Sequence, residues 1–215
     1  MLALLYAISA SQAVWSFAYK WTTIGDHPEY SLEKILDGSS PKPYASRILV
    51  PKAINLVSNL IPESVSGILI ERSRQMLEAI LGGPLAGKLN DKLALAYATS
   101  LMSNFLFFFL TLILLRSISR QYFEKTPVSI VIQDLSPIAF ALLLAISYRA
   151  YNGFIYDQFE IFIFVLYLFL TKRRTYHLSL IVLVLAIMNK ETAIFFPVFG
   201  VAIRWCEERK VMAKE

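Results

Sequence analysis

Hydrophobic residues occur along this chain in long runs that offer no polar face to water. A helix needs about 20 consecutive apolar residues to cross the hydrocarbon core of a bilayer. Residues 2–19 and 93–115 meet this requirement, whereas 128–148 and 154–170 are interrupted or shorter. The pattern therefore predicts an all-α protein, a polytopic bundle of transmembrane helices.

The last apolar region, residues 177–205, is interrupted by Asn189, Lys190 and Glu191. As one helix it would be longer than a span requires and would carry two charges at its centre. Short or broken helices are tolerated in membranes where protein shields them or where they line a cavity. The interruption favours two short spans, 177–189 and 192–205, joined as a hairpin. The expected total is about six spans in a single domain, residues 1–215.

The start of the third span has a mixed signal. Ser136 and Pro137 are typical of an N-cap followed by proline at the first helical position. The preceding residues 127–135 are apolar except for Gln133 and Asp134, and they extend the predicted span to 128–148. We interpret Asp134 as a partner for the helix start near the membrane boundary, not as a catalytic acid.

Residues 20–92 form a long first loop that is expected to contain helices of its own. Apolar residues recur at helical spacing in 48–61 and again in 67–81, where charged residues occupy the other face. Amphipathic helices of this kind lie at membrane interfaces. The sequence Gly82-Gly83-Pro84 then predicts the end of the second helix.

The first apolar segment has two interpretations. It could be a signal peptide cleaved near Ala13, but no basic region precedes its apolar run, which begins at Leu2. An uncleaved first span is therefore favoured.

Basic residues set the expected orientation. They are concentrated in segments 116–126 and 171–177 and in the tail after residue 203. Because cytoplasmic loops carry an excess of lysine and arginine, these segments and both termini are predicted to be cytoplasmic. The long first loop then lies on the extracytoplasmic face, and the expected location is a bacterial inner (plasma) membrane.

Composition supports a membrane protein and excludes several other classes. The chain is 56% hydrophobic and 17% charged, with a mean hydropathy of +0.54, whereas a soluble domain carries about 25% charged residues. The net charge of +5 reflects the basic loops, and no basic tract is interleaved with aromatics as nucleic-acid binding requires. Cys206 is the single cysteine, which excludes an intrachain disulfide.

Two candidate functional residues belong to the first loop. Asp26 follows the first span closely, where a carboxylate suits a general base for a hydroxyl acceptor. The alternative is an N-cap for a helix that begins near Pro28. Arg47 precedes the first interfacial helix and could form bidentate contacts with a phosphate. Its alternative role is to anchor a lipid headgroup.

Further candidates lie at the start of the fourth span and in the last hairpin. Asp157 and Glu160 are spaced to share one face of a helix. They could bind a metal or transfer a proton, or simply pair with Arg149 or Lys190. Lys190, followed by Glu191, could contact a phosphate or lie in a solvated turn. The predicted topology brings these segments and the first loop to one face of the membrane.

The arrangement resembles the GT-C superfamily of integral-membrane glycosyltransferases, which use polyprenyl-phosphate sugars. The likeness rests on an acid just after the first span, on the large first loop, and on three short motifs that look like those of related bacterial membrane proteins. The motifs are Tyr44-Ala-Ser-Arg-Ile-Leu-Val-Pro51, Tyr156-Asp-Gln-Phe-Glu160 and Asn189-Lys-Glu-Thr192. The chain would be a short or partial member, since GT-C enzymes usually have more spans.

The resemblance implies a role for each candidate. Asp26 takes the place of the catalytic acid, and Arg47 and Lys190 are candidates for the donor phosphate. Residues of the same motifs complete the expected substrate-binding set: Tyr44, Asp157 and Glu191. No metal ligands are assigned and no cofactor is certain, although a divalent cation is an open option.

The expected function is transfer of a sugar from a polyprenyl-phosphate donor to an acceptor on the extracytoplasmic face. The alternative is a non-catalytic membrane subunit, or a transporter, that handles lipid-linked glycan intermediates. The expected partners are the lipid bilayer and the lipid-linked sugar. A membrane-protein partner or a second copy of the chain stays open, and nucleic acid is not expected.

Overall fold

A computed structural model describes residues 1–20, 31–41, 47–81, 90–122, 126–150 and 154–212. Within these ranges the chain forms nine α-helices and one short 3-10 helix, and no strand occurs among them. The α-helices are α1 (Leu2–Lys20), α2 (Leu32–Asp37), α3 (Leu49–Leu60), α4 (Glu63–Leu81), α5 (Asp91–Tyr122), α6 (Pro127–Ala150), α7 (Asp157–Lys172), α8 (Tyr176–Asn189) and α9 (Phe196–Met212). The 3-10 helix, Glu191–Phe195, connects α8 to α9.

Three of the described helices are long and apolar enough to cross a membrane. They are the segments Leu2–Tyr19 of α1, Asp91–Gln121 of α5 and all of α6. Helix α8 is also apolar but has only 14 residues, and α7 and α9 have 16 and 17. The chain is therefore an all-helical membrane protein with three helices of spanning length.

Helices α1, α5 and α6 pack together, and α5 also packs against α7, which in turn contacts both α8 and α9. Small residues allow the first three helices to approach closely, since Ala10, Ala13 and Ala141 are buried against Phe108 and Leu112. Close approach of backbones at small residues is the usual basis of helix association in lipid.

The first loop contains three helices that cover one end of α5. Leu32 of α2, Ile54 of α3 and Leu77 of α4 are buried in one core with Ala94 and Tyr97 at the start of α5. Helices α3 and α4 correspond to the two amphipathic segments expected from the sequence, although α4 begins four residues earlier than expected. The six-residue helix α2 was not predicted.

Helix α6 begins one residue before the predicted span 128–148, but the prediction of an N-cap at Ser136 is wrong. The helix begins at Pro127, ten residues earlier than Pro137, and Pro137 lies in its interior. Thr126 and Ser129 cap it reciprocally, each backbone N–H donating to the other's hydroxyl at 3.0 and 3.1 Å. The same combination of hydroxyl residue and proline thus occurs twice, and the first copy starts the helix.

Two side-chain hydroxyls donate hydrogen bonds to carbonyl oxygens of α6 near Pro137. Pro137 has no N–H to donate to the carbonyl oxygen four residues earlier, and the Ser136 hydroxyl donates to that oxygen of Gln133 at 3.4 Å. The Tyr6 hydroxyl of α1 donates to the carbonyl oxygen of Asp134 at 2.9 Å. The Asp134 carboxylate itself pairs with α5, not with the start of its own helix as expected.

Contacts at the helix termini define two ends of the bundle. At the first end, Tyr6 and Arg116 both contact Asp134, so α1 begins where α5 ends and α6 begins. At the second end, Phe17 packs on Tyr148, and Tyr156 shares a core with the start of α5. Helices α5 and α7 therefore both run from the second end toward the first. The chain turns back after α7, because Lys190 at the end of α8 contacts Asp157 at the start of α7. It turns back again after α8, because Arg204 of α9 contacts the Tyr176 ring at the start of α8.

We expect Tyr6→Phe to destabilise the bundle by about 0.5–1 kcal/mol, the typical contribution of an interhelical hydrogen bond in a membrane protein. The variant leaves the Asp134 carbonyl oxygen without its donor from α1. Reversible unfolding in mixed detergent micelles measures the difference.

The matched control is Tyr19→Phe, which removes a hydroxyl from an exposed position on the same helix. Equal stability changes in the two variants would contradict a structural role for the Tyr6 hydroxyl.

Candidate functional site

Three segments that are distant in the sequence meet at the second end of the bundle. They are Arg47 before α3, residues 154–160 at the start of α7, and residues 189–192 between α8 and the 3-10 helix. We call the charged side chains of these segments the polar cluster; it consists of Arg47, Asp157, Glu160, Lys190 and Glu191. Asp26 and Tyr44 lie outside the described residues.

Arg47 contacts both of the other segments. Its Nη1 donates a hydrogen bond of 2.6 Å to the Tyr156 hydroxyl, and its guanidinium carbon lies 4.8 Å from the centre of that ring. Its Nη2 lies 3.7 Å from the Glu191 carboxylate. The Arg47 side chain is only 11% exposed, whereas Glu191 is 55% exposed. The arginine is thus held firmly by the tyrosine and only loosely by the acid.

Lys190 is the centre of the second group of charges. Its Nζ lies 2.6 Å from Glu160 and 3.4 Å from Asp157, and the Thr192 hydroxyl donates to Glu160 at 2.8 Å. Burial alone would lower the pKa of Lys190, but the hydrogen bond to Glu160 and the charges of both acids outweigh it, so this pKa is raised. The lysine therefore stays charged and bridges two carboxylates.

The start of α7 and the end of α8 position the acids and the lysine of the polar cluster. Asp157 and Glu160 lie in the first turn of α7, where the helix dipole favours negative charge. Asp157 also accepts a hydrogen bond of 2.7 Å from the backbone N–H of Phe154. Lys190 has an extended backbone that ends α8, and the fully buried Asn189 before it reaches the Tyr156 carbonyl oxygen at 3.5 Å.

The polar cluster contains two bases and three acids, so it carries one excess negative charge when all five are ionised. Lys190 is already engaged by two carboxylates. Arg47 is the better of the two predicted phosphate contacts, because Glu191 is an exposed partner at a longer distance. Among the residues that the structure describes, no group of three or more histidine, cysteine, aspartate or glutamate side chains could hold a metal.

An apolar groove adjoins the polar cluster. It has a volume of about 740 Å³ and lies between α3 and α5. Its lining includes Leu49, two residues after Arg47, and Phe159, between the two acids of α7; Met102 and Leu106 form part of the opposite wall. Such a surface is suited to an amphiphile. The charged residues can contact its headgroup, and the apolar groove can hold its hydrocarbon chain.

Three residues that organise this site were not predicted from the sequence. Tyr156 orients Arg47, Thr192 orients Glu160, and Asn189 ties α8 to the start of α7. All three are uncharged members of the motifs that drew attention for their charges. The sequence did contain a signal for these residues, because each is a polar residue close to a charged one at the end of a helix.

We expect Lys190→Met to lower the free energy of unfolding by about 2 kcal/mol, because it leaves two partly buried carboxylates facing each other without a base. Denaturant titration of the purified protein measures this loss. The pKa of Lys190 is raised on folding, so its stabilising contribution is complete below the ordinary lysine value of 10.5 and is lost as the pH rises through the higher folded value. The difference between wild type and variant should therefore be constant from neutral pH to about pH 10.

Glu191→Gln is the control, since it removes a neighbouring charge that is mostly exposed and should cost less than about 0.5 kcal/mol. A loss as large as that of Lys190→Met would show that the bridge to α7 has no special importance.

Comparisons with protein-family models, with curated proteins and with solved structures find no match to this chain. The structural class of the protein therefore follows from its own residues alone. It is an all-helical membrane protein in which a polar cluster, built from three distant segments, adjoins an apolar groove.

Proposed function

We propose that this chain is a GT-C-like membrane glycosyltransferase, which transfers a sugar from a polyprenyl-phosphate donor to an acceptor on the extracytoplasmic face. The observation that carries the proposal is the polar cluster beside the apolar groove. A polyprenyl-phosphate sugar has one charged headgroup and one long hydrocarbon chain, and it requires both kinds of surface next to each other.

The proposed orientation places the polar cluster outside and both termini in the cytoplasm of a bacterial inner membrane. The first end of the bundle, with Arg116, Arg120 and Arg204, then faces the cytoplasm, as the excess of basic residues favours. Helices α7, α8 and α9 complete six spans. They are shorter than the roughly 20 residues that a lipid-exposed span needs, and α7 is shielded by α5, α8 and α9.

The proposed reaction is a single displacement at the sugar. Asp26 accepts the proton of the acceptor hydroxyl, and the acceptor oxygen attacks the anomeric carbon. The bond from that carbon to the phosphate oxygen breaks, and polyprenyl phosphate leaves with the bonding electrons. The anomeric configuration is inverted as a result.

Arg47 supports the leaving phosphate in this proposal. Tyr156 holds the arginine in place, and the exposed Glu191 carboxylate occupies the position next to it. A phosphate replaces Glu191 as the partner of Arg47, because charge-assisted bidentate bonds between arginine and phosphate are stronger than a loose ion pair. Asp157 and Lys190 contribute to the walls of the same site, and Tyr44 is a further proposed substrate-binding residue.

A second candidate is a non-catalytic membrane subunit, or a transporter, that handles lipid-linked glycan intermediates. It is favoured by the internal pairing of the charges, since Lys190 bridges two acids and Arg47 already has an acid beside it. Such a protein would bind the lipid-linked sugar without transferring it. Binding and transfer must therefore be measured separately.

Asp26→Asn tests the catalytic assignment. We expect it to lower transfer from a polyprenyl-phosphate sugar by about 100-fold or more, the usual contribution of a general base, without weakening donor binding. A radiolabelled donor presented to the full chain in lipid nanodiscs gives both quantities. Glu29→Gln, which removes the next acid in the sequence, is the control and should retain activity.

Two further variants should change donor binding in opposite directions. Arg47→Gln should raise the KM for the donor about tenfold, and Glu191→Gln should lower it, because it removes the acid that competes with the phosphate. Binding without transfer in the wild-type chain would support the second candidate. Normal transfer by Asp26→Asn would exclude Asp26 as the base.

A further inference from the structure

A second charged crevice lies at the first end of the bundle, far from the polar cluster. It has a volume of about 340 Å³ and is formed by the beginning of α1 and the last turns of α5. Its lining includes Leu2, Ala3, Tyr6, Ile113, Arg116 and Arg120. The proposed sugar-transfer reaction makes no use of these residues.

The crevice contains an excess of positive charge. The Asp134 carboxylate accepts from Arg116 at 2.7 Å and from Arg120 at 3.3 Å, so two guanidinium groups share one acid. Arg120 is the weaker partner and the more exposed one, at 47% against 29% for Arg116. A ligand with one negative charge would neutralise the group, and Arg120 is the side chain that is able to turn toward it.

The surroundings of the two arginines favour a lipid over a soluble anion. Helices α1 and α5 both have the length and composition to cross a membrane. The remaining lining of the crevice is largely apolar, from Leu2, Ala3 and Ile113. Apolar side chains also cover the exposed surface of α1 near the crevice, including Leu4 and Ile8. A ligand here has hydrocarbon beside it and a pair of arginines at its head.

We propose that this crevice binds an anionic phospholipid whose single phosphodiester contacts Arg120 and Arg116. A phosphodiester carries one negative charge and matches the excess of one positive charge. Arginine is suited to it because its planar fork of donors binds phosphate oxygens in pairs. Basic crevices between membrane helices are a recognised type of site for lipid headgroups. The bound lipid would join α1 to α5 where the acid of α6 already joins them.

Lipid titration of the purified full chain in neutral detergent tests the proposal. Phosphatidylglycerol and phosphatidylcholine are added separately, and phosphatidylglycerol is also added together with inorganic phosphate; binding is followed by native mass spectrometry and by the shift in melting temperature. We expect phosphatidylglycerol to bind at least about fivefold more tightly than phosphatidylcholine, since one basic contact at the membrane surface accounts for roughly that ratio. Inorganic phosphate should not compete at similar concentrations.

Three variants separate a specific site from general electrostatic attraction. Arg120→Gln should abolish the preference for phosphatidylglycerol while the pair between Arg116 and Asp134 keeps the helices together. Asp134→Asn should increase the preference, because it removes the competing acid. Arg204→Gln removes a positive charge from the same end of the bundle but outside the crevice, and it should leave the preference unchanged.

Equal losses in Arg120→Gln and Arg204→Gln would overturn the proposal and indicate attraction to the whole basic end. Equal binding of both phospholipids, or full competition by inorganic phosphate, would also overturn it. If Asp134→Asn does not fold, the comparison of Arg120→Gln with Arg204→Gln still decides the result.

Discussion

The bridge from Lys190 to Asp157 and Glu160 is the interaction on which the second end of the bundle depends. A charge close to the hydrocarbon core is costly unless it is paired or solvated, and the bridge satisfies one base and two acids at once. It also fixes the end of α8 against the start of α7. Arg47 and Glu191 extend the same set of contacts to the first loop. One set of charge pairs therefore links the start of α7, the end of α8 and the residues just before α3.

A similar constraint operates at the first end, with a different outcome. Asp134 lies between two arginines of α5 and joins α5 to α6. There the bases outnumber the acid, whereas the acids outnumber the bases in the polar cluster. The group of Asp134, Arg116 and Arg120 and the polar cluster thus carry opposite net charge, although both connect helices through ion pairs. In the two proposals, an anionic lipid headgroup therefore contacts the first group directly, whereas the donor phosphate displaces an acid at the polar cluster.

Much of the helix pattern could be predicted from hydrophobic runs. Helices α1 and α5 contain the runs 2–19 and 93–115 almost unchanged, since a long apolar run in a membrane has few alternatives to a helix. The start of α6 lies one residue before the predicted span 128–148, but the N-cap was placed wrongly at Ser136, because Ser136 and Pro137 offer the same local signal as Thr126 and Pro127. The Ser136 hydroxyl donates to the carbonyl oxygen that Pro137 leaves without a helical donor, and the helix continues through this proline.

The charged residues of the polar cluster could be predicted from the sequence, whereas their pairings and the three uncharged residues that orient them could not. The motifs around Arg47, Asp157 and Lys190 each stand out as charges beside apolar runs, and a membrane topology is enough to expect them on one face. The sequence offered both Arg149 and Lys190 as partners for Glu160, and the structure pairs this acid with Lys190. The contact between Arg47 and Tyr156 joins residues that are 109 positions apart, so no local pattern contains it.

The hydrogen bond between α1 and α6 has a consequence for the order in which the protein is made. The carbonyl oxygen of Asp134 accepts a hydrogen bond from Tyr6, a residue 128 positions earlier in the chain. Synthesis proceeds from the N-terminus, so α1 is complete before the ribosome reaches the codon for Asp134. The donor of this contact is thus always made before its acceptor, and α6 can pack against α1 as soon as α6 is synthesised.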